Sequence, residues 1–213
     1  MVRPKLQIAL DHNDLEHALA DVIKVGNIVD IIEIGTILCL QEGSKAISCI
    51  RSMFPAKTII ADTKCADAGG TVAKNVADAG ADFMTVICCA TIPTMVAAQK
   101  EVKELQVELY GDWTLAQAQE WRNIGIKQAI YHQSRDALLS GETWGSKDLT
   151  KVQQLIDMGF DVSVTGGLNV DTLKLFKGMN VYNFIAGRGI SSSENPEQAA
   201  QEFKDEIIRI WGE

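Results

Sequence analysis

The chain has 213 residues and a formal net charge of -8 at pH 7, which argues against a nucleic-acid surface, because phosphate backbones are bound by clustered Lys and Arg. Its length suits one large domain or two small ones. No apolar run is long enough to cross a bilayer, and the start MVRPKLQIALDHND lacks the apolar segment and small-residue cleavage site of a signal peptide, so a soluble cytoplasmic enzyme or binding protein is expected.

Short apolar runs alternate with amphipathic segments along the chain. LQIAL (6–10) comes first, followed by a helix signal at Asp14-Leu15-Glu16 with an acidic start. Then come DIIEI (30–34), TIIAD (58–62), FMTVI (83–87), QVEL (106–109), QAIYH (128–132), DVSVT (161–165) and NFIAG (183–187). Runs this short and this apolar read as strands buried on both faces of a parallel sheet covered by helices. Ala79-Gly80-Ala81-Asp82 and Met158-Gly159-Phe160-Asp161 read as helix exits into the next strand. Asn195-Pro196-Glu197 opens a C-terminal helix with a cap and a first-turn proline. About eight strand–helix units predict a single (β/α)8 barrel spanning 1–213, with no linker or low-complexity tract. The alternative, an open doubly wound sheet, normally carries G-x-G-x-x-G after its first strand. Here that strand ends in Ala9-Leu10-Asp11-His12.

A barrel builds its active site at the C-terminal ends of its strands, so the polar residues closing each run become candidates. They are Asp11, Glu33, Asp62 with Lys64, Glu108, His132 with Arg135, and Thr165. In ADTKCADAGG the spacing is D-x-K-x-x-D. Alternation along a continuing strand places Asp62 and Lys64 on one side, with Asp67 on the loop beyond. Opposite charges a few ångströms apart keep a lysine ionised and oriented; the competing reading is an ion pair that only fixes the loop. Glu33 and Asp62 also suit Mg²⁺, which takes one or two carboxylates and completes its shell with water and substrate. Thr165-Gly166-Gly167-Leu168 and Ala186-Gly187-Arg188-Gly189 follow the last two strands, where many barrels bind phosphate through loop amides. Glycine lets the backbone approach an anion and Arg188 can donate two hydrogen bonds, so a phosphorylated substrate is expected.

Other residues carry less. The five cysteines have no zinc-type spacing and their odd number suits a reducing compartment; Cys65 has no evident base beside it. His17 falls within the first helix, and His12 is read as facing solvent beside Asp11. The tryptophans are read as packing residues, with Trp144 in GETWG a candidate to support a loop over the site.

Taken together, LQIALD, VDIIEIGT, ADTKCADAGG, TVICCA, ELYGDWT, YHQSRDA, TGGL and FIAGR resemble the 3-keto-L-gulonate 6-phosphate decarboxylase family, a branch of the orotidine 5'-monophosphate decarboxylase suprafamily, over essentially the whole chain. The D-x-K-x-x-D motif is shared across the suprafamily, whereas YHxSRDA with TGGL and AGR is closer to this branch. The resemblance implies Mg²⁺ on Glu33 and Asp62, and Lys64 beside a developing enediolate oxygen. It implies that Asp67 reaches the site of a second chain in a homodimer, and that Asp11 and Glu108 contact substrate or organise the charges. His132 and Arg135 then help reprotonate the intermediate, Thr165 contacts the sugar, and Gly167, Gly187 and Arg188 hold its phosphate. Use of L-ascorbate or a related sugar acid is the implied pathway. Gln133 stands where some relatives are basic, and Asp112 where an aromatic sometimes occurs, which bears on substrate preference and side activity.

Three rivals remain at this level. A 3-hexulose-6-phosphate synthase stabilises a similar enediolate, but typically has HTG and AGG where this chain has YHQSRD and TGG. A non-catalytic phosphosugar-binding protein needs the glycine loops but gives no reason for the carboxylate–lysine cluster. Orotidine 5'-monophosphate decarboxylases usually continue D-x-K-x-x-D with I-x-x-T, whereas Asp67 is followed by Ala68-Gly69-Gly70.

Overall fold

The structure, a computed structural model, describes residues 2–212. Eight parallel strands close into a barrel in sequence order: β1 Lys5–Leu10, β2 Ile31–Ile34, β3 Thr58–Cys65, β4 Phe83–Ile87, β5 Glu104–Leu109, β6 Gln128–His132, β7 Asp161–Thr165 and β8 Asn183–Ala186. The final pairing of β8 with β1 runs from Lys5↔Asn183 to Ile8↔Ala186. The expected barrel is therefore formed, and the doubly wound alternative is excluded by closure. The strands match the apolar runs closely, with β5 beginning two residues earlier at Glu104 and β3 extending to Cys65.

The helices follow as α1 Leu15–Val25, α2 Thr36–Glu42, α3 Ser44–Met53, α4 Gly69–Asp78, α5 Ile92–Gln99, α6 Leu115–Asn123, α7 Arg135–Leu139, α8 Ser146–Asp157, α9 Val170–Leu173, α10 Arg188–Ser191 and α11 Pro196–Trp211. Local chemistry explains their starts. Asp14 caps α1 by accepting the His17 amide, Thr114 and Gln117 form a reciprocal capping box on α6, and Asn195 caps α11 just before Pro196. Gly80 and Gly159 leave α4 and α8 at φ of 106° and 85°, as their placement before strands predicts.

The main core lies between the outer face of the barrel and the helices, where Leu6, Ile8, Ile32, Ile59, Val107 and Phe184 are fully buried. A separate, small apolar cluster of Ala9, Ile130 and Ile185 sits inside the barrel. Beneath it the interior is polar: Gln7, Gln106, Ser163 and Asn183 are fully buried and Gln128 nearly so. Barrel interiors are ordinarily filled by branched aliphatic residues, and burying a polar group is costly unless it is hydrogen-bonded. Gln106 accordingly donates to Gln128 across β5 and β6 at 2.6 Å.

Candidate active site

The C-terminal mouth of the barrel opens into a cavity of about 820 Å³. β1 exits into it through Asp11, β2 supplies Glu33, and β3 supplies Asp62 and Lys64. Glu108 arrives on β5, His132 on β6 and Arg135 at the start of α7. Thr165, Gly167, Gly187 and Arg188 complete the far wall. Every residue singled out in the sequence as a site candidate thus lines one cavity, except Asp67. That residue is exposed on the loop between β3 and α4 and does not line the cavity of its own chain. D-x-K-x-x-D is therefore split in space, its first acid and its lysine inside and its second acid outside.

Strand alternation does not by itself explain how Lys64 reaches the mouth. The β3–β4 register shifts between Ala61 and Cys65, and Lys64 has φ of 44°, in the left-handed region. A non-glycine residue held there costs about 1–3 kcal/mol. The irregularity is fixed by β4: Thr85 Oγ1 accepts the Lys64 amide at 2.9 Å, and Thr63 donates to the Thr85 carbonyl at 2.9 Å.

Lys64 Nζ lies 2.5 Å from Asp62 Oδ2 and 3.1 Å from Glu108 Oε2, and donates to Thr36 Oγ1 at 2.7 Å. Asp62 also accepts Thr36 Oγ1 at 2.5 Å and Thr85 Oγ1 at 2.7 Å. Glu108 Oε1 sits 2.7 Å from His132 Nδ1, and the Tyr110 hydroxyl lies 2.7 Å from the same nitrogen. The Tyr110 ring is tilted against the imidazole at 4.7 Å, with the Lys64 ammonium 5.7 Å over its face. Thr36, Thr85 and Tyr110 fall inside the segments VDIIEIGT, TVICCA and ELYGDWT but were not singled out as site residues, because they meet the cluster only across strands. His12 departs from expectation too: it lines the cavity rather than facing bulk solvent, with Nε2 3.1 Å from Asp21.

Charge in this mouth is unbalanced. Burial drives the Glu33 carboxyl well above its ordinary range, and Asp62 and Asp11 add repulsion that Lys64 only partly offsets. Burial likewise raises Glu108, reinforced by Asp62, against the opposing pull of His132 and Lys64. Asp62 ends lower than an ordinary carboxyl: burial pushes it upward, but the Lys64 charge and the hydrogen bonds from Lys64, Thr36 and Thr85 outweigh that. Lys64 is held above its usual range although burial works downward, because Asp62 and Glu108 favour the ammonium. Among the described residues no group of three or more His, Cys, Asp and Glu converges on a metal position. A hydrated divalent ion such as Mg²⁺ requires only one or two carboxylates, and the buried, mutually repelling Glu33 and Asp62 are the hard oxygen donors it takes. The residues therefore fit such an ion.

The opposite wall is built from backbone. Gly166 has φ of 101°, and a Cβ there would lie 2.0 Å from the Gln133 carbonyl oxygen, so only glycine allows β6 and β7 to exit this closely. At Gly35, beside β1, a Cβ would lie 2.9 Å from the Leu10 carbonyl oxygen and would displace the Asp11 carboxylate. Thr165 Oγ1 donates to the Ile185 carbonyl at 3.0 Å, tying the seventh and eighth strand ends together. Trp144 donates Nε1–H to the Gly166 carbonyl at 2.8 Å, so the segment after α7 is pinned to the glycine loop, as its position suggested. Of the two departures from the family pattern, Gln133 lines the cavity and Asp112 is exposed outside it. Cys65 is buried, its thiol pushed up by burial and donating to the Asp67 carbonyl at 3.0 Å, which fits a packing role and not a nucleophile.

Known proteins share this architecture. The family model for the orotidine 5'-phosphate decarboxylase / HUMPS family matches residues 4–203. A 3-keto-L-gulonate-6-phosphate decarboxylase from Escherichia coli (strain K12) is 48% identical over 216 residues, covering 100% of this chain and 98% of the relative. A crystal structure of KGPDC from Streptococcus mutans, in complex with a phosphorylated sugar, superposes with a TM-score of 0.98 at 64% identity, covering 99% of this chain and 100% of that one. A 3-hexulose-6-phosphate synthase from Salmonella typhimurium superposes at 0.90 with 27% identity, covering 96% and 99%. Among the described residues no helix is long and apolar enough to cross a membrane.

Proposed function

The chain belongs to the orotidine 5'-phosphate decarboxylase / HUMPS family, and we propose that it decarboxylates 3-keto-L-gulonate 6-phosphate to L-xylulose 5-phosphate and carbon dioxide. One observation carries the reading: an ammonium group gripped by Asp62 and Glu108 faces the same cavity as a glycine-rich wall bearing Arg188. The first is suited to charge that develops during reaction, the second to a phosphate that does not react. The decarboxylase relatives are also more similar in sequence than the synthase.

The loop amides at Gly167 and Gly187 and the Arg188 guanidinium anchor the phosphate, and Thr165 contacts the sugar, so that binding at the unreactive end orients the reactive one. The bond between the carboxylate carbon and its neighbour breaks, carbon dioxide leaves, and the electron pair remains on the sugar as an enediolate. Lys64, fixed and ionised by Asp62 and Glu108, places positive charge where that oxygen becomes anionic; preorganised charge of this kind usually contributes most to such catalysis. Glu33 and Asp62 would hold a Mg²⁺ ion, which would supply Lewis-acid stabilisation of oxygen charge when bound. Asp11 contacts substrate at the exit of β1. His132, oriented through Nδ1 by Glu108, acts with Arg135 to return a proton to the carbon that lost carbon dioxide. Asp67 is exposed and does not line its own cavity, which suits a homodimer in which it serves the neighbouring chain's site. Catabolism of L-ascorbate or a related sugar acid is the setting this reaction implies.

The test is carbon dioxide release from 3-keto-L-gulonate 6-phosphate, with Mg²⁺ present and then chelated. Rapid release that stops on chelation, with L-xylulose 5-phosphate as product, is the expected result. A folded, metal-supplied protein that releases nothing, yet condenses formaldehyde with D-ribulose 5-phosphate, would replace this reading with the synthase.

A further inference from the structure

The polar interior of the barrel has a direction. Asn183 on β8 donates Nδ2–H to Gln7 Oε1 at 2.6 Å and approaches Ser163 Oγ on β7 at 3.4 Å. Gln7 on β1 in turn donates Nε2–H to Glu33 Oε2 on β2. Ser163, Asn183 and Gln7 are fully buried, and Glu33 is 6% exposed. Because Asn183 occupies the Gln7 carbonyl, the Gln7 amide has one orientation, with its N–H toward Glu33. A flipped amide would set two oxygens against each other.

We infer that Gln7 is a positioning residue for the proposed cation site, fixing the Glu33 carboxylate through Oε2, with Asn183 setting the Gln7 amide. The inference rests on the proposed role of Glu33. It follows from two costs that the fold accepts together. Amides are costly to bury unless hydrogen-bonded, and here they fill layers that aliphatic side chains ordinarily occupy. A buried carboxylate surrounded by other carboxylates also needs a donor to stay ordered. A donor amide on the far side of a metal-binding carboxylate answers both, and removing such partners typically lowers metal affinity about 10–100-fold. The Gln106–Gln128 pair lies in the same interior but hydrogen-bonds to neither Glu33 nor Asp62, and so provides an internal control.

The experiment is Mn²⁺ binding by electron paramagnetic resonance, on the full chain without substrate, for the wild type and for Gln7→Leu, Asn183→Ala and Gln106→Leu. About tenfold or greater weakening is expected in Gln7→Leu, a smaller loss in Asn183→Ala, where the amide is free to rotate, and none in Gln106→Leu. A folded Gln7→Leu that binds Mn²⁺ about as tightly as the wild type overturns the inference. Should Gln7→Leu not fold, unchanged affinity in Asn183→Ala overturns it, as does an equal loss in Gln106→Leu, which would mark a general effect of the interior. A wild type that takes up no Mn²⁺ overturns the cation reading itself and this inference with it.

Discussion

At the N-terminal rim of the barrel, Asp82 receives Arg51 at 2.5 Å, Lys103 at 2.5 Å and the Ile59 amide at 2.9 Å, while Arg51 also donates to the carbonyls of Phe54, Pro55, Lys57 and Gly80. At the C-terminal mouth, the Lys64 ammonium is shared by Asp62 and Glu108, with Glu33 close enough for Asp62 and Asp11 to raise its pKa. Both ends are acid–base clusters within one sheet. In one, cations outnumber the acid and the carboxyl is held low. In the other, acids outnumber the lysine, and the buried Glu33 and Glu108 carboxyls are driven high. The rim has the composition of a clamp that stabilises the chain, and the mouth that of a site completed by something bound. Electrostatic imbalance in a cleft, more than the presence of ion pairs, therefore separates chemistry from architecture here.

The difference between the two ends is most open to challenge at Lys64. Lys64→Ala should lower kcat by about 10²–10³ or more, the scale for losing one preorganised stabilising group, while circular dichroism still reports a folded barrel. Near-normal kcat in that variant would remove Lys64 from the chemistry and make the mouth a second structural cluster. Arg51→Ala should do the reverse, lowering unfolding free energy by about 2–3 kcal/mol through lost charged hydrogen bonds. Turnover per folded molecule should stay unchanged, as active-site titration alongside urea melts would show.

A smaller effect is expected within the mouth. Glu33→Gln keeps an oxygen for the Gln7 donor but removes a buried charge that its neighbours repel. The metal-free variant should melt a few degrees higher, since about 1 kcal/mol moves Tm by roughly 2–4 °C in a chain of this size. Mg²⁺ should raise the Tm of the wild type and leave that of the variant unchanged. Calorimetry with and without chelator reads both, and a lower Tm in the metal-free variant would contradict the charge argument. The smallest effect concerns Asp82. Burial works upward on it, but Lys103, the Ile59 amide and Arg51 bring its pKa below the ordinary value. A carboxyl depressed on folding adds stability above its unfolded value of about 3.9, and that contribution is lost as pH falls through the folded one. Asp82→Asn should therefore lose stability at neutral pH and show a flatter fall in Tm below about pH 4 than the wild type.

The strands were legible because buried parallel strands leave short apolar runs in the sequence, and their ends marked the mouth because a barrel collects strand ends on one face. Asp11, Glu33, Asp62, Lys64, Glu108, His132 and Thr165 all stand at such ends. Gln7, Ser163 and Asn183 leave a fainter signal, a polar residue within or at the start of a run otherwise destined for burial. Thr36, Thr85 and Tyr110 fall inside the segments that carry the family resemblance, but those segments do not say what they touch. Their contacts with Asp62, Lys64 and His132 span 21 to 28 residues, so no local pattern records them.

The order of residues along the chain was enough to set the alternation of strands and helices, the order of the barrel and the chemical kind of nearly every group at its mouth, since periodicity, capping and turn chemistry act over a few neighbouring residues. Folding in three dimensions settled the rest: Lys64 reaches the cavity through a strained turn in β3, Asp67 does not enter it, and the interior amides run toward Glu33. Each depends on which strands closure sets side by side, and a charge or a donor acts over a few ångströms of space, whatever its distance along the chain.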